Sequence, residues 1–272
     1  MLTVATWKWR GTRDYASHHV NVLFRAVSDN LHIPHRFVCI TDDPVGLDVN
    51  INVVELPDFE HIAVRPGFPS SYVRLLGFCP EFSKRIGDRI LTLDIDVVIM
   101  GDLTPLVERD EDFVAWSDPD LRGLQYHGGM YLMDAGCRPQ VWESFDRDRS
   151  PEITKEAGLT GSDQAWISYC LWPNEAIWEK PNGIYRTRNI KGSCPEDAGI
   201  VQFPGYMKPW FKMCEDQHPD LYAAWSKYAN IRKQHELPRR QNNASSRGNQ
   251  YQPEKGTYPE RNGPCSQNQP AY

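Results

Sequence analysis

The chain has no apolar run long enough to cross a bilayer, no paired-cysteine motif and no surplus of positive charge. A spanning helix needs about 20 apolar residues, and no stretch comes near that. The opening Met1-Leu2-Thr3-Val4-Ala5-Thr6-Trp7 meets charge too soon to supply a signal-peptide core. Seven cysteines, at 39, 79, 137, 170, 194, 214 and 265, are an odd and scattered set without C-x-x-C. That scatter speaks against a disulfide framework or a cysteine zinc site, and for reduced thiols in a cytoplasmic protein. Acidic residues exceed basic ones by 36 to 30, and the net charge of −6 gives no pull toward nucleic acid or anionic membrane.

What is present fits a globular α/β protein. A chain of 272 residues can form one large domain or two small ones. Nine tryptophans are more than usual; most belong in a core, and some suit sugar-stacking walls. Residues 2–6, 35–41 and 51–56 read as strands. Val20, Leu23, Val27 and Leu31 recur at helical spacing, so a helix is expected over 15–30. Ser70-Ser71 can cap a helix carrying Tyr72, Leu75, Leu76 and Phe78. This alternation implies a mostly parallel sheet flanked by helices, with ligands outside the carboxyl ends of its strands. Further on, 113–116 and 129–133 read as strands of a second layer. Residues 141–145, 163–171 (capped by Ser162) and 220–228 read as helices. After about Glu236 the sequence turns to Gln, Asn, Ser, Gly and Pro and nearly loses aliphatics, so 236–272 is expected to be a disordered tail.

The run Leu91-Thr92-Leu93-Asp94-Ile95-Asp96-Val97-Val98-Ile99-Met100 is the strongest signal. Its aliphatic residues suit a strand buried on both faces. Burying an ionised carboxylate costs several kcal/mol, on the order of the buried-charge penalty, unless it is paired or metal-bound. Two carboxylates at i and i+2 of an extended segment project from the same side and call for a cation. The bland alternative is a strand end whose aspartates cap a turn in solvent. No further cluster of Asp, Glu or His lies nearby, so the expected site is Mg²⁺ or Mn²⁺ completed by a nucleotide's phosphates.

A second signal is Val201-Gln202-Phe203-Pro204-Gly205-Tyr206-Met207-Lys208-Pro209-Trp210. Gly205 lets backbone approach a ligand, and Lys208 is a point charge suited to a diphosphate. An ordinary surface loop is the alternative. Asp163-Gln164 opens a helix, where an acidic residue is also favoured by the macrodipole alone. Asp42 and Asp43 suit a ribose or a turn, and His127 suits a sugar contact or a plain strand start. Asn243-Ala244-Ser245 matches a glycosylation sequon, discounted for want of a secretory signal.

Taken in order, these motifs resemble a known family. Tyr72-Val73-Arg74-Leu75, Leu93-Asp94-Ile95-Asp96, Gly128-Gly129-Met130-Tyr131-Leu132, Gly161-Ser162-Asp163-Gln164 and Gly205-x-x-Lys208-Pro209-Trp210 look like the glycogenin-like glycosyltransferases, family 8 and relatives. The resemblance covers roughly residues 2–212 and implies a GT-A domain over 1–235. It also implies a nucleotide-sugar donor (most often a UDP-sugar), Mn²⁺ or Mg²⁺, and transfer with retention to a saccharide or other hydroxyl acceptor. By position, Asp94 and Asp96 would hold metal and diphosphate, and Lys208 would neutralise the leaving group. Arg74 would contact the donor, with Asp163, Gln164 and Gly129 near the transferred sugar, and Thr6 and Tyr15 near base and ribose. The chain departs from the pattern twice. Gln202 stands where the family has a histidine ligand, so Gln202, Asp197 or His218 must complete the site or it is weakened. Gly128 or Gly129 replaces a sugar-contacting Asn.

Rival readings are a sugar nucleotidyltransferase and a nucleotide- or carbohydrate-binding module without turnover. The first wants a glycine-rich basic loop after the first strand, whereas Trp7-Lys8-Trp9-Arg10-Gly11-Thr12-Arg13 has one glycine. A haloacid-dehalogenase-type phosphatase wants small residues after its second aspartate, where this chain has Val97-Val98.

Overall fold

The computed structural model describes residues 1–10, 15–57, 70–117, 126–159, 162–179 and 182–230. The tail after 235, the sequon and the loops 59–69 and 118–125, where an acceptor would be recognised, lie outside the described residues.

Strands β1 (Leu2–Lys8), β2 (His35–Thr41), β3 (Asn52–Glu55), β4 (Arg89–Leu93), β6 (Phe113–Ser117), β7 (Tyr126–Asp134) and β8 (Ala176–Trp178) form one sheet in the order β3-β2-β1-β4-β7-β6-β8. Pairing is parallel except that β7 runs antiparallel to both β4 and β6. A small sheet, β5-β10-β9, is built from β5 (Val98–Ile99), β9 (Ile184–Arg186) and β10 (Ile200–Gln202). The helices are α1 (Ser17–Asn30), α2 (Pro80–Ile86), α3 (Thr104–Val107), α4 (Gln140–Glu143), α5 (Ser150–Glu156), α6 (Asp163–Leu171), α7 (Lys212–Gln217) and α8 (Pro219–Ala229). No described helix is long and apolar enough to cross a membrane.

Strand periodicity sorts the core into two layers. Phe37 and Cys39 of β2 join Val4, Leu91 and the apolar stripe of α1 on one face of the sheet. Val38 and Ile40 join Ala5, Trp7 and Ile90 on the other, against Tyr72, Leu76 and Trp166. Every residue of β1 is buried, as a central parallel strand requires.

Three expectations change. Residues 91–100 are not one strand: β4 stops at Leu93, the chain turns through Asp94–Asp96, and β5 leaves for the small sheet, pairing with β10. A continued strand would strand both carboxylates between β1 and β7, whereas the turn lifts them to cationic partners. Residues 70–78 form 3-10 turns rather than an α-helix, and an unanticipated α2 follows, with Pro80 in its first turn. Nor are 113–116 and 129–133 a second layer: they widen the same sheet as β6 and β7. Because β7 is antiparallel, its first residues lie at the carboxyl end of β4.

Candidate functional site

The carboxyl ends of β1 and β4 lie side by side, and the Thr6 hydroxyl ties them by donating to the Leu93 carbonyl at 2.8 Å. Just beyond, the turn carrying Asp94 and Asp96 meets two cations delivered from distant parts of the chain.

Arg74 faces two carboxylates. Its Nη1 pairs with Asp94, and its Nε donates to Asp163 Oδ2 at 2.7 Å. Asp163 is fully buried; its second oxygen accepts from the Ser162 hydroxyl at 2.6 Å. Ser162 thus does not cap α6 with its side chain as expected, because that hydroxyl is spent on Asp163. Burial pushes the Asp94 carboxyl up, but Arg74 foremost, then His127 and Lys208, hold it below the usual carboxylate range. It is therefore an anion at neutral pH.

Lys208 closes the other half. Its Nζ donates to Asp96 Oδ2 at 2.6 Å and to the Tyr15 hydroxyl oxygen at 2.8 Å. Tyr15 in turn donates to Asp96 Oδ2 at 2.9 Å, and its ring lies 4.9 Å from the ammonium. Burial and then the nearby Asp94 charge raise the Asp96 pKa, against the opposing pull of Lys208 and Tyr15. Burial, then Asp96 and Asp94, drive the Tyr15 phenol far above its ordinary value, so it remains a donor.

The glycine pair explains the missing side chain. A Cβ on Gly129 would lie 1.9 Å from Asp94 Oδ2, and one on Gly128 would lie 2.8 Å from Asp163 Oδ2 and 3.0 Å from the Gln164 nitrogen. The carboxylates of Asp94 and Asp163 occupy the space that side chains on this strand would need. Gly129 N–H donates to His127 Nδ1 at 3.2 Å, which places that imidazole beside the acidic turn. Gly205 faces open space, and Pro204 and Met207 close the turn around it with a 3.0 Å backbone bond.

An aromatic stack fixes the loop of Lys208. His19 lies flat on Trp210, with ring centroids 3.7 Å apart at 10°, while Tyr15 meets Trp210 edge-on at 5.9 Å. Trp225 of α8 backs Trp210 at 5.8 Å. Sequence reasoning missed this clamp, since nothing in either segment marks residues so far apart as partners. His19 Nδ1 accepts from the Ala16 N–H at 3.0 Å, and burial and then His18 lower its pKa to about 3. In the unfolded chain it protonates near its ordinary value of about 6.5. Its contribution to stability is therefore complete above about pH 6.5 and is lost as pH falls toward 3, at up to ~1.4 kcal/mol per pH unit. Urea melts at pH 7 and pH 5 should show about 2 kcal/mol of loss that His19→Gln lacks.

Asp42 and Asp43 are spent on structure. Asp42 binds the Arg10 backbone and guanidinium at 3.0 and 2.9 Å, and Asp43 Oδ1 accepts from the Val45 N–H at 3.3 Å. Asp197 is bound by the Tyr185 hydroxyl, and His218 sits between α7 and α8. Among the described residues no group of three or more His, Cys, Asp or Glu gathers to hold a metal, so neither completes a cage with Asp94 and Asp96. Gln202 is buried, with its Nε2 donating to Met130 Sδ at 3.3 Å. Two hard carboxylates without a protein cage fit a cation whose remaining ligands are substrate phosphates.

No family model and no curated protein matches the chain. Solved structures do. The galactosyltransferase LgtC, in complex with donor and acceptor sugar analogues, is 16% identical with a TM-score of 0.57, over 84% of this chain and 95% of that one. Apo GlyE of Streptococcus pneumoniae TIGR4 is 14% identical with a TM-score of 0.55, over 85% of this chain and 60% of its own. The apo bifunctional glycosyltransferase WbbM is 12% identical with a TM-score of 0.57, over 85% of this chain and half of its own. The fold is that of these family 8-type, GT-A-like glycosyltransferases.

Proposed function

We propose that the chain is a metal-dependent glycosyltransferase that moves a sugar from a nucleotide-sugar, in the first instance a UDP-sugar, to a hydroxyl acceptor with retention. The carrying observation is that Lys208 and Asp96, 112 residues apart, meet at the strand ends beside the Arg74-bridged pair Asp94 and Asp163. Likeness to an LgtC structure holding donor and acceptor sugar analogues supports the reading.

Asp94 and Asp96 would hold Mg²⁺ or Mn²⁺, with Gln202 as the candidate third ligand. When bound, such an ion supplies Lewis-acid stabilisation of the departing diphosphate. Lys208 exchanges Asp96 and Tyr15 for a phosphate oxygen as charge develops there, and the Tyr15 hydroxyl donates alongside it. Asp163, dry and locked by Arg74 and Ser162, offsets positive charge on the sugar in an oxocarbenium-like transition state. The leaving phosphate oxygen takes the acceptor's proton, so no separate base is needed. Gln164 follows Asp163 into α6 and is assigned to the sugar side; in LgtC a glutamine-to-glutamate change is described as an active-site mutation.

The test is incubation of UDP-, GDP- and ADP-sugars with the full chain and Mg²⁺ or Mn²⁺. Sugar release or transfer supports a transferase, and pyrophosphate exchange with NTP supports a nucleotidyltransferase. Binding without turnover supports the inactive module, which Gln202 at the family's histidine position favours. In the active case Lys208→Ala should lower kcat by roughly 10²–10³-fold, as loss of a charge-stabilising group does, with a smaller change in KM.

A further inference from the structure

Gln202 ends β10, and its side chain is held in one direction by a residue that the reaction above leaves unused. β10 pairs antiparallel with β5, Val201 opposite Val98, so position 202 lies opposite position 97, next to Asp96. The side chain ends on Met130: its Nε2 donates to Sδ at 3.3 Å, and Met130 pairs with Leu93, the residue before Asp94. Backbone and amide thus bracket the acidic turn from its two ends. The Thr187 hydroxyl, donating to the Gln202 carbonyl at 2.7 Å, pins the backbone there. Gln202 is 2% exposed, and Met130 is fully buried.

A thioether sulfur accepts and cannot donate. Met130 therefore takes the NH₂ end of the amide and rejects the carbonyl end, so Oε1 points away from the sulfur. Among the described residues no donor reaches Oε1, yet the atom is not sealed from solvent. A nearly buried amide oxygen without a donor is costly, and a cation beside Asp96 removes that cost. Ligand type then sets the ion. Carboxylate and carbonyl oxygens suit Mg²⁺, Ca²⁺ and Mn²⁺, whereas imidazole nitrogen favours transition metals. Mg²⁺ in particular takes one or two carboxylates and is completed by substrate phosphates and water.

We infer that the cation site of this chain is all-oxygen, made by Asp94, Asp96 and Gln202 Oε1 with Met130 as the positioning residue, and that it takes Mg²⁺ on nearly equal terms with Mn²⁺. This rests on the reading that the β4 end holds the donor diphosphate.

The test titrates Mn²⁺ into the full chain with UDP present, followed by electron paramagnetic resonance, and then displaces it with Mg²⁺. In the wild type, Mg²⁺ should displace Mn²⁺ within about a tenfold excess. Gln202→His supplies a nitrogen ligand, so it should tighten Mn²⁺ and raise the Mg²⁺ excess needed by about tenfold. Gln202→Leu should weaken both ions by about tenfold or more. Met130→Leu conserves volume, so its thermal melt should stay near that of the wild type. It frees the amide to turn, and should weaken both ions about tenfold, the range for partners that orient a ligand. Added to Gln202→Leu, the same change should cost nothing further, which a merely structural methionine would not show.

Unchanged ion binding in Gln202→Leu, a larger Mg²⁺ excess in the wild type, or an excess that Gln202→His does not move overturns the inference. So does a Met130→Leu loss that persists in full beside Gln202→Leu. If the leucine variant at 202 does not fold, the histidine variant decides. A wild type that binds no Mn²⁺ with UDP overturns the donor reading and this inference with it. UDP-dependent Mn²⁺ binding that ignores every substitution overturns this inference alone.

Discussion

Asp96→Asn is expected to abolish sugar turnover while leaving a folded protein. The asparagine keeps the size of the side chain and an oxygen toward Lys208 and Tyr15, which now lie 2.6 and 2.9 Å from one carboxylate oxygen. What it removes is the negative charge. Lys208 then stands buried without its anion, and breaking one member of such a pair costs about 3–5 kcal/mol. The variant should therefore melt early as well as fail in turnover by at least roughly 10³-fold. Stability and catalysis can be separated by a second change. Asp96→Asn with Lys208→Met removes both charges, and replacing a buried ion pair by apolar groups is often neutral. The double variant should regain most of the lost stability in a thermal melt and none of the activity. Recovery of activity along with stability would mean that the pair serves only the fold.

Gly129→Ala should be nearly as damaging, although it adds a single methyl. The new Cβ would fall 1.9 Å from Asp94 Oδ2, far inside contact distance. Either β7 moves, which its pairing with both β4 and β6 resists, or Asp94 swings away from Arg74. Overpacking of this kind costs about 1–3 kcal/mol. The larger effect is on function, because a 1 Å displacement of a catalytic group can cost roughly 10²-fold. Steady-state kinetics on the full chain should show kcat reduced about 10²-fold, with circular dichroism unchanged. Gly205→Ala is the control. Nothing lies within 4 Å of its Cβ position, so its stability should be near that of the wild type.

The parts of this site that could be read in the sequence are those carried by local pattern. Strand β2 and helix α6 have the bounds expected of them, because an apolar run closed by a turn signal and an acidic residue at a helix start are written in neighbouring residues. The aspartate pair stood out because charge inside an aliphatic run has few structural excuses. The turn that holds it was hidden, since Ile95 and Val97 are good strand formers and only the diverging small sheet decides that β4 ends at Leu93. The pairing of Lys208 with Asp96 and Tyr15, and of Arg74 with both Asp94 and Asp163, joins residues up to 193 positions apart, beyond any local signal. The glycine pair read from sequence as a loss of a sugar contact; its spatial reason is the room that Asp94 and Asp163 take. Thr6, expected near the nucleoside, has its hydroxyl occupied by the Leu93 carbonyl.

A crystal structure of the full chain grown with UDP and Mn²⁺, with data collected at the manganese edge, tests the central claim most directly. The account predicts an anomalous peak within ligand distance of Asp94 and Asp96, diphosphate oxygens on the same ion, and Lys208 turned from Asp96 onto the phosphate. A nucleotide bound elsewhere, with Lys208 still on Asp96 and no anomalous peak at the β4 end, would contradict it.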